Sequence, residues 1–268
     1  GCERTWNMKS YMPLISDKIR SEVGDRKVFL LVSGGVDSTV AFVLLNRVLG
    51  TDRVLGLHID NGMMRMDESA KIIDFLKREG MMNLNVVDAT DIFLGNLKGE
   101  TAPEVKRKSI GATFLEVKDI EMKKLNLDPK EWMIAQGTIY PDTIESGGTK
   151  NADLIKTHHN RVKEVMDLME QGLLLEPLAD LYKDEVRMLG EELGIPHNLV
   201  WRHPFPGPGL GVRLLCSDGK GEFAKNDEVE GLADYLRQNN IDGYILPIKS
   251  VGVQGDGRTY AQPFLLTT

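Results

Sequence analysis

A short loop of small and polar residues, "SGGVDS", occupies residues 33–38 between an apolar run and a helical pattern. Glycine allows a sharp backbone turn, and the N–H groups at the start of a helix attract anions. The common phosphate loop G-x-x-x-x-G-K-[ST] carries a lysine, and this loop has none. A glycine turn with a capping Ser or Asp is the alternative. In this strand–loop–helix context we predict phosphate contacts from Ser33, Gly34, Gly35, Val36, Asp37 and Ser38.

Amides and hydroxyls without a lysine suggest a particular cleavage of a bound nucleotide. A nucleotide bound in this way would have its two terminal phosphates held together as one leaving group. The α-phosphorus would then be the point of attack. A cation would still be needed to neutralise the departing charge. Lys156, in "IKTHHN", is the candidate for this role, and its alternative is a solvated surface lysine. The neighbouring His158 and His159 would point apart on a strand, so they do not predict a zinc site.

Carboxylates near the loop are candidates for binding Mg²⁺. This ion takes one or two carboxylates, shares phosphate oxygens and keeps several waters. Asp37 is the first candidate because it already lies in the loop. Asp142 and Glu145, in "PDTIES", are the others, and their alternative is to cap a loop or to pair with Lys or Arg. We expect the ion to arrive with the nucleotide.

The first two-thirds of the chain alternate short apolar runs with helical patterns. The runs cover residues 27–32, 53–60, 84–89, 131–137 and 172–177. Strands separated by helices predict an α/β fold with a doubly wound parallel five-stranded sheet. In such sheets ligands bind outside the carboxyl ends of the strands, where the loop lies.

The composition changes after residue 194. "RHPFPGPGLGVR" (202–213) is too rich in Pro and Gly for a helix or a central strand. "DEVEGLADYLRQNN" predicts a helix, and "GYILPIKSVGV" (243–253) predicts one edge or bulged strand around its proline. We therefore predict an N-terminal linker or helix at 1–20, the α/β domain at 21–203 and a smaller α+β domain at 204–268.

Charge and cysteine content exclude several classes of protein. The net charge of the 268 residues is -7, which argues against a bulk nucleic-acid partner. The two cysteines form no C-x-x-C pair, so we expect neither zinc nor disulfides but a reducing compartment, the cytoplasm. No apolar run approaches the roughly 20 residues that span a membrane, so we expect no membrane partner.

The motifs together resemble a known family. "SGGVDS" is similar to the signature of the N-type ATP pyrophosphatases, which cleave ATP between its α- and β-phosphates. Four further segments resemble the synthetase portion of the glutamine-hydrolysing GMP synthetases: "HIDNGMMR" (58–65), "AQGTIYPDTIES" (135–146), "IKTHHN" (155–160) and "RHPFPGPGLGVR" (202–213). "SVGVQGDGRTY" (250–260) resembles the start of their C-terminal dimerisation domain.

This resemblance implies a fold and a reaction. The fold would be adenine nucleotide alpha hydrolase-like, and residues 21–203 would form the ATP pyrophosphatase domain. The reaction would be the ATP-dependent amination of XMP to GMP through adenyl-XMP, with Mg²⁺ and with release of AMP and pyrophosphate. A homodimer is implied, and an upstream glutaminase domain or a separate subunit would supply ammonia. NAD synthetase activity and a non-catalytic adenine-nucleotide-binding module are the alternatives.

The resemblance also implies roles for individual residues. It places the adenine near Ile59, with a simple turn at residues 60–62 as the alternative. It favours a catalytic role for Lys156, and Asp37 is the second catalytic candidate. The implied contacts of XMP are Arg107, Arg202, His203 and Asp256. For Arg107, in the basic run "EVKRK", a solvated helix face is the alternative.

Overall fold

The computed structural model describes residues 6–128, 130–147, 172–205, 207–217, 219, 224–254 and 257–267. The chain divides into two compact units. The first comprises Gly1–Thr90 and Phe114–Gly207, and the second comprises Asp91–Thr113 and Pro208–Thr268. The predicted domain limits at residues 20 and 203 stay a prediction. Lys156 and Asp256 lie outside the described residues, as does the side chain of Glu145.

A five-stranded parallel sheet forms the centre of the first unit. Its strands are β1 (Lys27–Leu31), β2 (Val54–Asp60), β3 (Leu84–Asp88), β4 (Trp132–Ala135) and β5 (Leu174–Leu175). Their order is β3-β2-β1-β4-β5, and each neighbouring pair is parallel. The prediction of an α/β fold with this sheet is confirmed. The chain runs outward from β1 to one side and later resumes at β4 on the other, so the crevice between the ends of β1 and β4 is the expected ligand site.

Helices follow most of the strands. They are α1 (Met8–Val23), α2 (Val36–Leu49), α3 (Glu68–Arg78), α4 (Thr90–Asn96), α5 (Pro103–Leu125), α6 (Tyr140–Gly147), α7 (Lys183–Glu192), α8 (His197–Val200), α9 (Leu210–Arg213) and α10 (Leu232–Gln238). Short 3₁₀ turns lie at Thr51–Arg53 and Asn226–Glu228. Helix α2 is apolar on nearly all sides and is buried along most of its length, as such composition requires. Its position beneath α1 and α7 fixes the loop that precedes it.

Both faces of the sheet are covered. Val28 and Leu30 join the hydrophobic core that includes α1, α2 and α7. Phe29, which alternates with them along β1, is also fully buried, although it lies outside that core cluster. The doubly wound arrangement follows from this burial on both faces. Among the described residues, no helix is long and apolar enough to cross a membrane.

The second unit carries two short antiparallel sheets. Strand β6 (Asp242–Ile245) pairs with β9 (Phe264–Thr267), and β7 (Ser250–Gln254) pairs with β8 (Gly257–Ala261). The prediction of one strand across residues 243–253 is wrong, because the chain leaves β6 before Pro247 and enters a different sheet at β7. The expectation of no helix within residues 202–213 is also wrong, because Leu210–Arg213 form one helical turn after Gly209.

Candidate active site

The loop after β1 leaves the N-terminus of α2 without a side-chain cap. Gly34 has a φ of +82°, a left-handed conformation in which a side chain would be strained. Gly35 is the N-cap residue of α2 and has an extended backbone. The N–H groups of the first turn therefore keep the capacity to bind an anion, which the helix dipole favours. This arrangement suits a phosphate group.

Hydroxyl groups brace this loop from within. Ser33 Oγ lies 3.0 Å from Ser38 Oγ, and the same Ser33 atom accepts a hydrogen bond from Gly35 N at 3.3 Å. The Thr39 hydroxyl donates to Gly35 O at 2.8 Å. The loop thus has a defined shape in which two serine hydroxyls face each other, consistent with a preformed binding surface.

A lysine from another part of the chain lies at the loop. Lys183 Nζ donates to both carboxylate oxygens of Asp37, at 2.7 and 2.6 Å. Lys183 is the first residue of α7, the helix that follows β5. Sequence reasoning missed it, since the search for the missing cation went to Lys156. The available signal was its position after the fifth strand, at the edge of the sheet where ligands bind.

A buried ion pair lies beside the same loop. Arg202 Nη1 pairs with Glu68 Oε1 at 2.9 Å, and the side chains of Arg202 and Glu68 are 13% and 8% exposed. The Arg202 guanidinium also donates to the carbonyl oxygen of Gly34. Burial, the largest effect, lowers the pKa of Arg202 below its ordinary value, and the Glu68 carboxylate opposes this shift. Within the described part of the chain, Glu68 Oε2 is buried without a hydrogen-bond partner.

These groups surround one cavity of about 230 Å³ in the first unit. Its charged wall combines the Asp37–Lys183 pair with the Arg202–Glu68 pair and Arg187. The lining residues are Ser33, Gly35, Val36, Asp37, Met64, Glu68, Lys183, Arg187, Arg202, His203, Pro204, Phe205 and Gly207. The cavity therefore brings most of the predicted loop contacts together with Arg202 and His203.

The residues at the end of β2 form turns that are stabilised by their own side chains. Asp60 Oδ1 accepts from Gly62 N and Asn61 Oδ1 accepts from Met63 N, both at 2.9 Å, so residues 60–63 form side-chain-supported turns. Ile59 is buried at the end of the strand and is not among the residues that line the cavity. A role for Ile59 in holding adenine stays a prediction.

The segment after β4 passes very close to the loop. A Cβ on Gly137 would lie 3.1 Å from Ser38 N and 3.2 Å from Asp37 C. These are backbone atoms that cannot move aside cheaply, so only glycine fits well here. Sequence reasoning did not single out Gly137, although a glycine directly after a strand often marks a close backbone approach.

The predicted magnesium ligands differ in what they contact. Asp142 Oδ2 accepts from Ile139 N at 3.2 Å, which is the loop-capping alternative. Among the described residues, no group of three or more His, Cys, Asp or Glu is placed to hold a metal. The carboxylate of Asp37 at the loop fits an ion that also shares phosphate oxygens. Arrival of Mg²⁺ together with a nucleotide stays a prediction.

Arg107 lies in the second unit. It is on α5, where its guanidinium pairs with Glu104 one helical turn earlier. The neighbouring Lys106 is buried and donates to Leu214 O at 2.6 Å, within the same unit. This i,i+3 pair is partly buried, and contact of Arg107 with a purine nucleotide stays a prediction.

The chain resembles a family model, several curated proteins and several solved structures. The family model described as NAD synthase matches residues 8–136, which include the loop. A probable GMP synthase (glutamine-hydrolysing) of Leptospira interrogans is 48% identical over 270 aligned positions, 99% of this chain and 44% of the relative. The GMP synthase of Azoarcus sp. is 48% identical over 97% of this chain and 51% of the relative. A solved structure of NMN synthetase from Francisella tularensis shares the fold, with a TM-score of 0.51, 14% identity and 87% coverage of each chain.

The parallel sheet, the lysine-free loop and the matched family model agree with the resemblance of this chain to the N-type ATP pyrophosphatases. The curated relatives that it matches at 44–48% identity are GMP synthases. The chain spans about half the length of these relatives.

Proposed function

We propose that the chain is the ATP pyrophosphatase portion of a GMP synthase and that it aminates XMP to GMP. The similarity to GMP synthases at 44–48% identity across 97–99% of the chain carries this proposal. The NAD synthase family model matches only residues 8–136, the part that contains the shared loop. NAD synthesis is therefore the weaker alternative.

The proposed reaction has two steps. In the first, the C2 oxygen of XMP attacks the α-phosphorus of ATP, the α–β phosphoanhydride bond breaks, and pyrophosphate leaves. In the second, ammonia forms a bond to C2, the C2–O bond breaks, AMP carries the oxygen away, and one proton is released. Adenylation converts a poor leaving oxygen into a good one, so no covalent enzyme nucleophile is needed.

The residues of the cavity have roles in the first step. The N–H groups of the loop at residues 33–38 bind the β- and γ-phosphates, and Lys183 neutralises charge on the departing pyrophosphate. Asp37 would bind Mg²⁺, which, when present, screens the phosphate charge. The ion pair with Lys183 keeps this carboxylate oriented at the loop in the meantime. Lys156 remains a second proposed cation, and His203 and Asp256 remain proposed contacts of XMP.

Several properties of the whole enzyme belong to this proposal. Ammonia would come from a glutaminase domain or subunit, since the relatives are named glutamine-hydrolysing. A homodimer is supported by apolar side chains exposed on β6 and β9 of the second unit. The compartment would be the cytoplasm, as expected for a nucleotide ligase with so few cysteines.

Pyrophosphate release tests the function directly. The purified protein is mixed with ATP, Mg²⁺ and ammonium, with XMP, with deamido-NAD or with neither. We expect pyrophosphate release and GMP formation only with XMP. Release with deamido-NAD would establish the NAD synthetase alternative, and nucleotide binding without any release would establish the non-catalytic module.

A further inference from the structure

Arg202 lines the cavity and also contacts the loop at residues 33–38. Its guanidinium donates to the carbonyl oxygen of Gly34 and pairs with Glu68. Gly34 has a left-handed backbone, so its carbonyl orientation differs from that of a regular strand or helix residue. A carbonyl oxygen turned toward bound phosphates would repel them, whereas this carbonyl is engaged by a cation.

The segment that carries Arg202 is itself held by Arg65, which lies between β2 and α3. Arg65 Nη2 donates to His203 O at 2.9 Å and to Pro204 O at 3.1 Å. The Arg65 guanidinium also lies 4.6 Å from the centroid of the Phe205 ring. These contacts hold the backbone beside Arg202, so its side chain reaches the loop from a rigid base.

The carboxylate of Glu68 orients the guanidinium. Both side chains are almost fully removed from solvent, and an arginine's planar fork can serve two acceptors only in a narrow range of orientations. A buried ion pair is weak as a source of stability, but a group that it holds cannot easily turn away. Glu68 therefore acts on the loop through Arg202.

We propose that Arg202, oriented by Glu68, is a positioning residue that holds the Gly34 carbonyl and so keeps the loop in its phosphate-binding shape. This differs from the contact with XMP that the family resemblance implies for Arg202. The inference rests on the proposed function for its kinetic test, but its binding test requires only ATP affinity. The alternatives are a direct contact of Arg202 with XMP and a direct, purely electrostatic contact with ATP.

Two conservative variants separate these roles. Arg202→Lys keeps the charge but loses the fork, and Glu68→Gln keeps the shape but loses the charge that orients Arg202. We expect each to lower the rate constant of XMP-dependent pyrophosphate release, by about 10- to 100-fold for Arg202→Lys, because small misplacements of reacting groups are this costly. The KM for XMP should stay within about twofold. The combined variant should be no slower than Arg202→Lys alone, since both act through one contact.

Affinity for the non-cleavable analogue α,β-methylene-ATP, measured by calorimetry without XMP, gives a readout independent of the reaction. We expect both variants to bind the analogue more weakly, by about tenfold. Absence of pyrophosphate release by the unaltered protein would refute the proposed function and leave this comparison intact. Unchanged affinity for the analogue in either Glu68→Gln or Arg202→Lys would overturn the positioning role. A raised KM for XMP with an unchanged rate constant would overturn it as well.

A variant in which both residues of the pair are replaced is the control for a loss of folding stability. Removing Arg202 alone leaves Glu68 buried and unpaired, which is strongly destabilising, whereas the double change Arg202→Met with Glu68→Met avoids this penalty. The double variant should unfold at a temperature near that of the unaltered protein and still bind the analogue weakly. Wild-type binding in this variant would overturn the proposal.

Arg47→Lys and Glu79→Gln, in an exposed pair at 2.8 Å, are the matched controls and should change neither affinity nor rate.

Discussion

Lys183 and Asp37 form a two-point contact, with the lysine ammonium 2.7 and 2.6 Å from the two carboxylate oxygens, although they are separated by 146 positions in the chain. The contact joins the start of α7 to the first turn of α2. It places a cation beside a loop that has no lysine of its own. A nucleotide phosphate entering this cavity would compete with Asp37 for the ammonium, so the pair is well suited to open when ATP and Mg²⁺ bind.

Replacing Lys183 by Met should slow pyrophosphate release by about 10²–10³-fold, the usual loss when a group that stabilises developing charge is removed. The free energy of unfolding should change by less than about 1 kcal/mol, because the pair is partly exposed and such pairs are weak. Pre-steady-state pyrophosphate release and thermal unfolding measure the two effects. Lys18→Met, which removes the exposed Lys18–Asp180 pair at 2.6 Å, is the control and should leave the rate unchanged. A normal rate in Lys183→Met would assign the cationic role elsewhere.

Replacing Asp37 by Asn should reduce pyrophosphate release far more than it reduces folding stability. The asparagine can still accept a hydrogen bond from Lys183, but it is a poor ligand for Mg²⁺. We therefore expect the Mg²⁺ concentration needed for half-maximal rate to rise. A titration with Mg²⁺ at saturating ATP measures this. An unchanged rate and an unchanged Mg²⁺ dependence would refute the metal role of Asp37.

Adding a methyl group at Gly137 should distort the phosphate loop. The new Cβ would lie 3.1 Å from Ser38 N, closer than nine in ten such contacts, and it would meet backbone atoms and not a flexible side chain. We expect Gly137→Ala to weaken binding of α,β-methylene-ATP by about tenfold or more. Gly95→Ala is the control, since a Cβ there meets nothing within 4 Å. Equal affinities in the two variants would show that the loop adapts.

The central sheet could be predicted because its signal is local. Each strand is a short apolar run, and each run is followed by a helical pattern, so strand identity and parallel pairing follow from the order of elements alone. The loop at residues 33–38 could be placed for the same reason, because it joins one strand to the next helix. The strand predicted across residues 243–253 failed because Pro247 is compatible both with a bulge and with a complete break. Only the pairing partners decide between the two, and they lie elsewhere in the chain.

The side-chain partners within the site were not predictable from local sequence. The sequence predicts Arg202 as a contact of XMP only through the resemblance, and nothing in "RHPFPG" indicates that it contacts Gly34 and Glu68. Lys183 occupies an ordinary helix start, and only the sheet order brings it to Asp37. Gly137 is constrained by backbone atoms of α2, a relationship that appears only once the ends of β1 and β4 are adjacent.

The proposed homodimer predicts that an exposed apolar pair in the second unit is buried on assembly. Tyr244 on β6 and Leu265 on β9 are directly opposite each other and are 58% and 46% exposed. Burying a leucine side chain contributes roughly 1.5–3 kcal/mol, so Leu265→Lys should raise the dimer dissociation constant by about tenfold or more. Sedimentation velocity over a range of concentrations measures it. Leu14→Lys is the control: Leu14 is also exposed but lies on α1 of the first unit, so this change should leave the dissociation constant as it is. A protein that is monomeric throughout, or a Leu265→Lys variant that dimerises normally, would show that this face of the β6–β9 sheet is not the interface.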